Sequence, residues 1–215
     1  MHTAARDAWL DFIRAHEGEV PYMYLDTKGL VTVGIGNLID PVASAIALPF
    51  QTKSQNKLGA PAGRPATPSE IEVEWHHIKH HTKCLAMAKY GHTLCAPETN
   101  LELSQSSRDK LFWDKSDSNE SVLHETFRDY DAWPADAQLG LMALAWGLGP
   151  GFPAHWNKFT AACKARDFAT AAAESHISSW NADRNGASQR FFRNAARVHA
   201  GSETIAWPSS TTRRI

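Results

Sequence analysis

The chain is short of the features that would place it in a membrane, on a nucleic acid or in a disulfide scaffold. None of its 215 residues falls in an apolar run long enough to read as a transmembrane helix, and no basic-then-apolar export segment opens it. Membrane insertion is therefore not expected. Neither sign of charge dominates: the net charge is −1 with histidine neutral, and nothing in it suggests a basic patch for nucleic acid. Three cysteines do not decide the redox compartment. Cys84 and Cys95 could bridge across a turn at Gly91 in an oxidising compartment, with Cys163 left free, but three buried thiols is the simpler expectation. There is no internal repeat and no long low-complexity tract.

What the chain does have is one crowded stretch near its start. Residues Thr3 to His16 read as an amphipathic helix, with Ala8, Trp9, Phe12 and Ile13 near one face. Gly18 can end it, because glycine enters left-handed geometry without a side-chain clash. Glu17 then sits at the helix C-terminus, where the partial negative charge, and burial against apolar walls, would oppose its ionisation. Tyr22–Leu25 and Leu30–Val33 are rich in aromatic and β-branched residues, and Asp26-Thr27-Lys28-Gly29 between them has turn chemistry. A small hairpin is expected, with Asp26 at its bend and Thr32 on a two-faced returning strand. Gly34 and Gly36 leave backbone exposed where a polymer could lie close. A proton donor, a second carboxylate and a hydroxyl to hold water are what a glycoside hydrolase needs. Each residue alone has a plainer reading. An Asp in a turn is ordinarily an Asx-turn, and a Glu before Gly is ordinarily a solvated helix end.

Taken together, the pattern Glu17-Gly18, Tyr24-x-Asp26-x-x-Gly29, Thr32-x-Gly34-x-Gly36 resembles the phage-type lysozymes, the T4 lysozyme family of muramidases. The resemblance extends to the far end. Trp133 to Gln138, leading into Leu139–Leu148 and the turn Gly149-Pro150-Gly151-Phe152, is similar to the family's central buried helix. Asn157-Lys158-Phe159 and Asp167-Phe168-Ala169 open short helices, and Trp180-Asn181 with Arg190-Phe191-Phe192-Arg193 resembles its closing segment. It covers Ala8 to about Gly36 and Tyr130 to about Gly201. Residues 40–67 and 92–119 look longer than the family core requires.

The resemblance implies an α+β, mainly α, lysozyme-like two-lobed fold in a single domain over 1–215. A small β lobe would span about 18–66, a long connecting helix about 68–90, and a helical lobe about 91–207 plus the N-terminal helix 3–16. It implies Glu17 as general acid, Asp26 as second carboxylate and Thr32 placing the attacking water, with inversion at the anomeric carbon. Gly36 and Arg190 are the candidates for binding or positioning substrate and acid. Arg184, Arg193 and Arg197 compete with Arg190, and Glu19 is a rival acid that lacks the following glycine. No metal and no cofactor are expected. The implied partner is the peptidoglycan glycan strand, met by a monomer in the bacterial periplasm or cell wall. Delivery would fall to a holin, a secretion system or a parent domain from which this chain was cut. If it is an antibacterial effector rather than an endolysin, an immunity or inhibitor protein is a further partner.

The middle of the chain is read more coarsely. Pro41–Pro49 suits one or two helical turns. Gln51–Pro65 reads as a long surface loop able to overhang a cleft. Thr67-Pro68-Ser69-Glu70 is a capping box with proline at the first helical position. The helix it starts should run to about Tyr90, with apolar contacts from Ile71, Trp75, Ile78, Leu85 and Met87. Ser104–Trp113 and Glu120–Arg128 read as two helices separated by a polar loop at 114–119. Of the eight Trp, Trp9, Trp146 and Trp180 are expected in the core. His76, His77, His80 and His81 pair at i, i+4, a spacing that can hold a metal ion. Two ligands leave such a site short of partners, so a solvated helix face is the simpler reading. Two alternatives to the muramidase remain: a non-catalytic wall-binding lysozyme-like module, and a metal-dependent enzyme built on the His76–His81 cluster.

Overall fold

The computed structural model describes residues 1–87 and 92–201. The expected end of the third long helix at 88–90, the Gly91 turn and the chain beyond 201 lie outside them. The chain is mainly helical with a small antiparallel sheet. It divides into two compact units: Met1–His16 with Lys115–Ile215, and Glu17–Asp114. Among the described residues no helix is long and apolar enough to cross a membrane.

The first unit is built around helix α6, named here in chain order, over Ala135–Leu148. Every residue from Ala135 to Trp146 is buried, and from Leu139 on the helix is apolar all round, as a helix enclosed by others is; the buried Gln138 donates to the Tyr130 carbonyl at 3.0 Å. Helix α1 (Thr3–Glu17) contributes Trp9, Phe12 and Ile13 to this core. Helix α9 (Ala182–His199) contributes Ala187, Phe191, Phe192 and Ala195. The α6–α9 approach is close enough that a Cβ on Gly140 would stand 2.8 Å from the Phe192 ring, which explains a glycine inside a helix where it costs about 1 kcal/mol against alanine. Helices α7 (Asn157–Lys164) and α8 (Phe168–Glu174) start where expected, and the Asp167 carboxylate caps α8 by accepting the Thr170 amide at 3.0 Å. Asn185 joins the α8–α9 connection by accepting from the Ile177 amide and donating to its carbonyl, both at 2.8 Å.

The second unit carries a three-stranded sheet, β1 (Val20–Leu25), β2 (Val31–Gly34) and β3 (Asn37–Leu38), in that order and antiparallel. A two-stranded ribbon pairs β4 (Gln51–Thr52) with β5 (Leu101–Glu102). Tyr24 pairs with Thr32 and Leu25 with Val31, so Asp26–Leu30 is the hairpin turn. Gly29 there has φ 74, a conformation that favours glycine. Met23, Leu25, Val31 and Val33 pack with Phe50, Ile71, Trp75, Ile78, Leu101 and Leu103. Helix α3 (Pro68–His80) starts with the complete capping box, Thr67 and Glu70 bonding each other's backbone amides.

Helix α3 also locks the hairpin. Lys79 Nζ donates to Asp40 Oδ2 at 2.6 Å and to the Gly29 carbonyl at 3.0 Å. The Val31 amide donates to the same carboxylate oxygen at 3.3 Å. These bonds, the Lys79 one first, hold the Asp40 carboxyl below its usual range. Lys79→Met keeps the apolar stem and removes the ammonium. We expect it to cost about 1–3 kcal/mol in urea unfolding, the range for losing a charged hydrogen-bond partner; an unchanged midpoint would show that the hairpin does not need the clamp.

A second tie runs from α3 to the β5 segment. The buried Glu74 carboxylate accepts the Asn100 amide at 2.5 Å and the Leu101 amide at 3.2 Å. Burial nevertheless raises its pKa from 4.5 to about 7. The folded chain therefore holds a proton that the unfolded chain releases across that window, and stability falls as pH rises through it. The loss is on the order of 3 kcal/mol, since a tenfold difference in proton affinity is about 1.4 kcal/mol. Urea unfolding at pH 5 and pH 7.5 should show this decline, and it should shrink in Glu74→Gln; an equal decline in both proteins would assign it to other groups.

Several expectations are corrected. The separate helices at Ser104–Trp113 and Glu120–Arg128 are one helix, α5 (Gln105–Thr126). The polar run inside it is internal partners, not loop: Ser116 is buried and accepts the Trp9 indole N–H at 2.9 Å, Asn119 is buried, and Lys110 pairs with Asp114 one turn on. The boundary between the two units falls inside α5, and α3 lies in the second. Helix α3 ends at His80, because His81 is extended (ψ 111), and the chain turns into α4 (Thr82–Met87). Leu85, expected to supply an apolar contact, is exposed. Strand β2 is buried at every residue rather than two-faced. Trp9 and Trp146 are buried as expected, but Trp180 is only half-buried, with Arg184 stacked 3.7 Å over its ring. Helix α2 (Val42–Ile46) lies where one or two turns were expected.

All three cysteines are buried free thiols. Burial, with the neighbouring Cys95 sulfur, pushes the Cys84 thiol up to about 12.

Candidate functional site

The hairpin and the end of α1 place four of the five expected site residues on one cleft. Glu17, Asp26, Thr32 and Gly36 all line a cavity of about 450 Å³ in the second unit, together with Val20, Tyr24, Leu38 and His92 among others. Arg190 does not: it is exposed on α9, in the first unit. No residue from 51 to 65 is among those described as lining the cleft.

Local chemistry sets each group. Glu17 is the last residue of α1 and half-buried, and Gly18 follows with φ 71, the left-handed stop expected of it. Asp26 Oδ1 accepts the amides of Lys28 and Leu30, each at 2.9 Å. That is the Asx-turn of the plainer reading, and it also fixes the carboxylate plane. Oδ2 takes no part in either bond. Thr32 is 3 % exposed, and its hydroxyl donates to the Leu30 carbonyl at 3.1 Å. With its proton so committed, the hydroxyl oxygen can only accept from whatever enters the cleft. Gly36, φ 67, lies in the turn between β2 and β3. Asn37 braces this turn, accepting the Ile35 amide at 3.2 Å and donating to the Leu111 carbonyl at 3.3 Å.

Two lining residues carry chemistry that sequence reasoning passed over. The Tyr24 phenol is pushed well above its ordinary value, first by burial, then by the fields of Glu17 and Asp26. It therefore stands within electrostatic reach of both carboxylates. His92 contacts the Tyr22 hydroxyl through Nδ1 at 2.8 Å, and its ring meets that of Tyr24 at 5.9 Å. Burial lowers its pKa, which favours the neutral ring at neutral pH. Tyr24 lay inside the recognised pattern as a strand aromatic, while His92 stands far along the chain and no local pattern marked it. Glu19, the rival acid, is occupied elsewhere: its Oε1 accepts from Arg108 Nε and Gln105 Nε2, both at 2.8 Å.

Among the described residues, one group of three side chains could hold a metal ion. His77, His81 and Glu98 bring ligand atoms within 4.8 Å of one another, and none of the three lines the cleft. A scan against protein-family models found no match to this chain, and a search of curated proteins found none similar to it.

Proposed function

We propose that the protein is a peptidoglycan hydrolase of the lysozyme kind, with a lysozyme-like fold, cleaving the β-1,4 bond between N-acetylmuramic acid and N-acetylglucosamine. The observation that carries this reading is that one cleft gathers Glu17, Asp26, Thr32 and Gly36. In the proposed reaction the Glu17 carboxyl gives its proton to the glycosidic oxygen as the bond to the anomeric carbon breaks. A water donates one hydrogen to Thr32 Oγ1 and the other to Asp26 Oδ2, so its lone pair faces the anomeric carbon. Asp26 takes the proton as the new bond forms on the opposite face of the sugar. The product then has the inverted, α configuration. Glu17 is returned to its acid form, and Asp26 to its base form, through solvent.

The glycan strand is the substrate, the wall or periplasm the place of action, and a single chain the working unit. An effector delivered into a rival cell would also meet an immunity or inhibitor protein at this cleft. The His76–His81 cluster takes no part in the reaction, since none of it lines the cleft. Clearing of purified walls that survives a chelator is expected, and proton NMR of a chitooligosaccharide or wall digest should show the α anomer first. A β anomer as first product would rule out the direct attack of water. Thr32→Val keeps the β-branched shape and removes the water acceptor; we expect a loss of about tenfold or less, smaller than that of either acid variant, in the initial clearing rate. A neutral result would remove Thr32 from the reaction.

A further inference from the structure

The histidines on α3 acquire in the folded chain a partner distant in sequence. The 3-10 turn Thr93–Glu98 brings Glu98 to the C-terminal end of α3. Its Oε2 lies 3.8 Å from His77 Nε2 and 3.7 Å from His81 Nε2, and the two rings are 5.0 Å apart. Both imidazole nitrogens thus converge on one carboxylate oxygen. We propose that His77, His81 and Glu98 bind a divalent transition-metal ion of the zinc class, with water completing the coordination, and that the ion ties α3 to the 3-10 turn.

The geometry needs little adjustment. Bonds of about 2.0–2.1 Å in a tetrahedral site put neighbouring ligand atoms about 3.3 Å apart. Each His–Glu distance must therefore shorten by about half an ångström, and the two imidazole nitrogens, which lie within 4.8 Å of each other, must draw together as well; rotation of the three side chains supplies both. Two existing contacts must yield. Lys57 Nζ lies 3.5 Å from the same Glu98 oxygen, but the lysine is 69 % exposed and can swing away. His81 Nδ1 accepts the Cys84 amide at 3.4 Å, a long bond that is given up when Nε2 binds the ion and Nδ1 carries the proton. His76 and His80, the other i, i+4 pair, stack with rings 6.2 Å apart, and no third ligand is grouped with them among the described residues.

The consequence is mechanical. His81 and Glu98 flank the segment that carries His92, a lining residue of the cleft. An ion held between them fixes both ends of that segment without entering the reaction.

The test is isothermal titration of the untagged chain with Zn2+, followed by the visible spectrum with Co2+. The expected result is one ion per chain, tetrahedral d–d bands with Co2+, and a rise in melting temperature with added Zn2+. Glu98→Gln and His77→Gln should each weaken binding at least tenfold, while the double variant His76→Gln/His80→Gln should leave it unchanged. Circular dichroism without metal checks that each variant is folded. No binding by the native chain, or binding that survives His77→Gln, or binding lost in the His76/His80 variant, would overturn the proposal. Because the readout is binding rather than lysis, the result does not depend on whether the cleft cleaves glycan.

Discussion

Glu17→Gln is expected to abolish wall lysis, with a fall of about a hundred- to ten-thousand-fold in the initial clearing rate and no change in the unfolding midpoint. Glutamine keeps the size and shape of the side chain at the end of α1, and Gly18 still closes the helix with its left-handed backbone. What is lost is the proton. Without it the leaving sugar must depart as an alkoxide. Among the described lining residues the other carboxyl is Asp26, the base of the proposed reaction, and Glu19 lies off the cleft, held by Arg108 and Gln105. Clearing at more than a tenth of the native rate would remove Glu17 as the acid. The midpoint, measured by circular dichroism in urea, separates lost chemistry from lost fold.

Asp26→Asn is the second large effect, and the structure makes it an unusually clean substitution. Asn presents the same carbonyl oxygen to the Lys28 and Leu30 amides, so the turn that Asp26 Oδ1 builds survives. The substitution therefore removes the charge and the base at Oδ2 while leaving the hairpin alone. We expect activity to drop by at least a hundredfold with stability within about 0.5 kcal/mol of the native chain. Asp26→Ala, by contrast, should lose activity and stability together, because two amides lose their acceptor. An Asp26→Asn enzyme that clears walls at the native rate would reduce this residue to its turn role and place the second carboxylate elsewhere.

What could be read from the chain was what is local. The capping box at Thr67 and Glu70, the stop at Gly18 and the turn at Asp26 are each determined by a few neighbouring residues, and each is found in place. Helix α6 was equally legible, because a continuous apolar stretch of that length has to be enclosed. Helix α5 was not. Ser116 and Asn119 carry loop chemistry locally, but in the fold both are buried, and the Ser116 partner, Trp9, lies far away in sequence. The end of α3 was hidden for the same reason. No glycine or proline marks His81, and its extended backbone goes with a ring drawn towards Glu98.

The site divides along the same line. Glu17, Asp26, Thr32 and Gly36 were visible because their spacing along one short stretch is itself the signal, and they line one cleft. Arg190 was nominated among several nearby arginines with no local geometry to choose between them, and it stands exposed on α9. His92, and Glu98 beside His77 and His81, depend on how the 3-10 turn packs against β1 and α3, which no periodicity in the sequence encodes.

The account rests on hydrolysis by water at the muramic acid linkage. Mass spectrometry of muropeptides released from purified peptidoglycan tests that most directly. It should show disaccharide peptides with reducing N-acetylmuramic acid ends, absent from the Glu17→Gln digest. Products ending in 1,6-anhydro sugars, stem peptides freed from an uncut glycan, or no products at all, would contradict it.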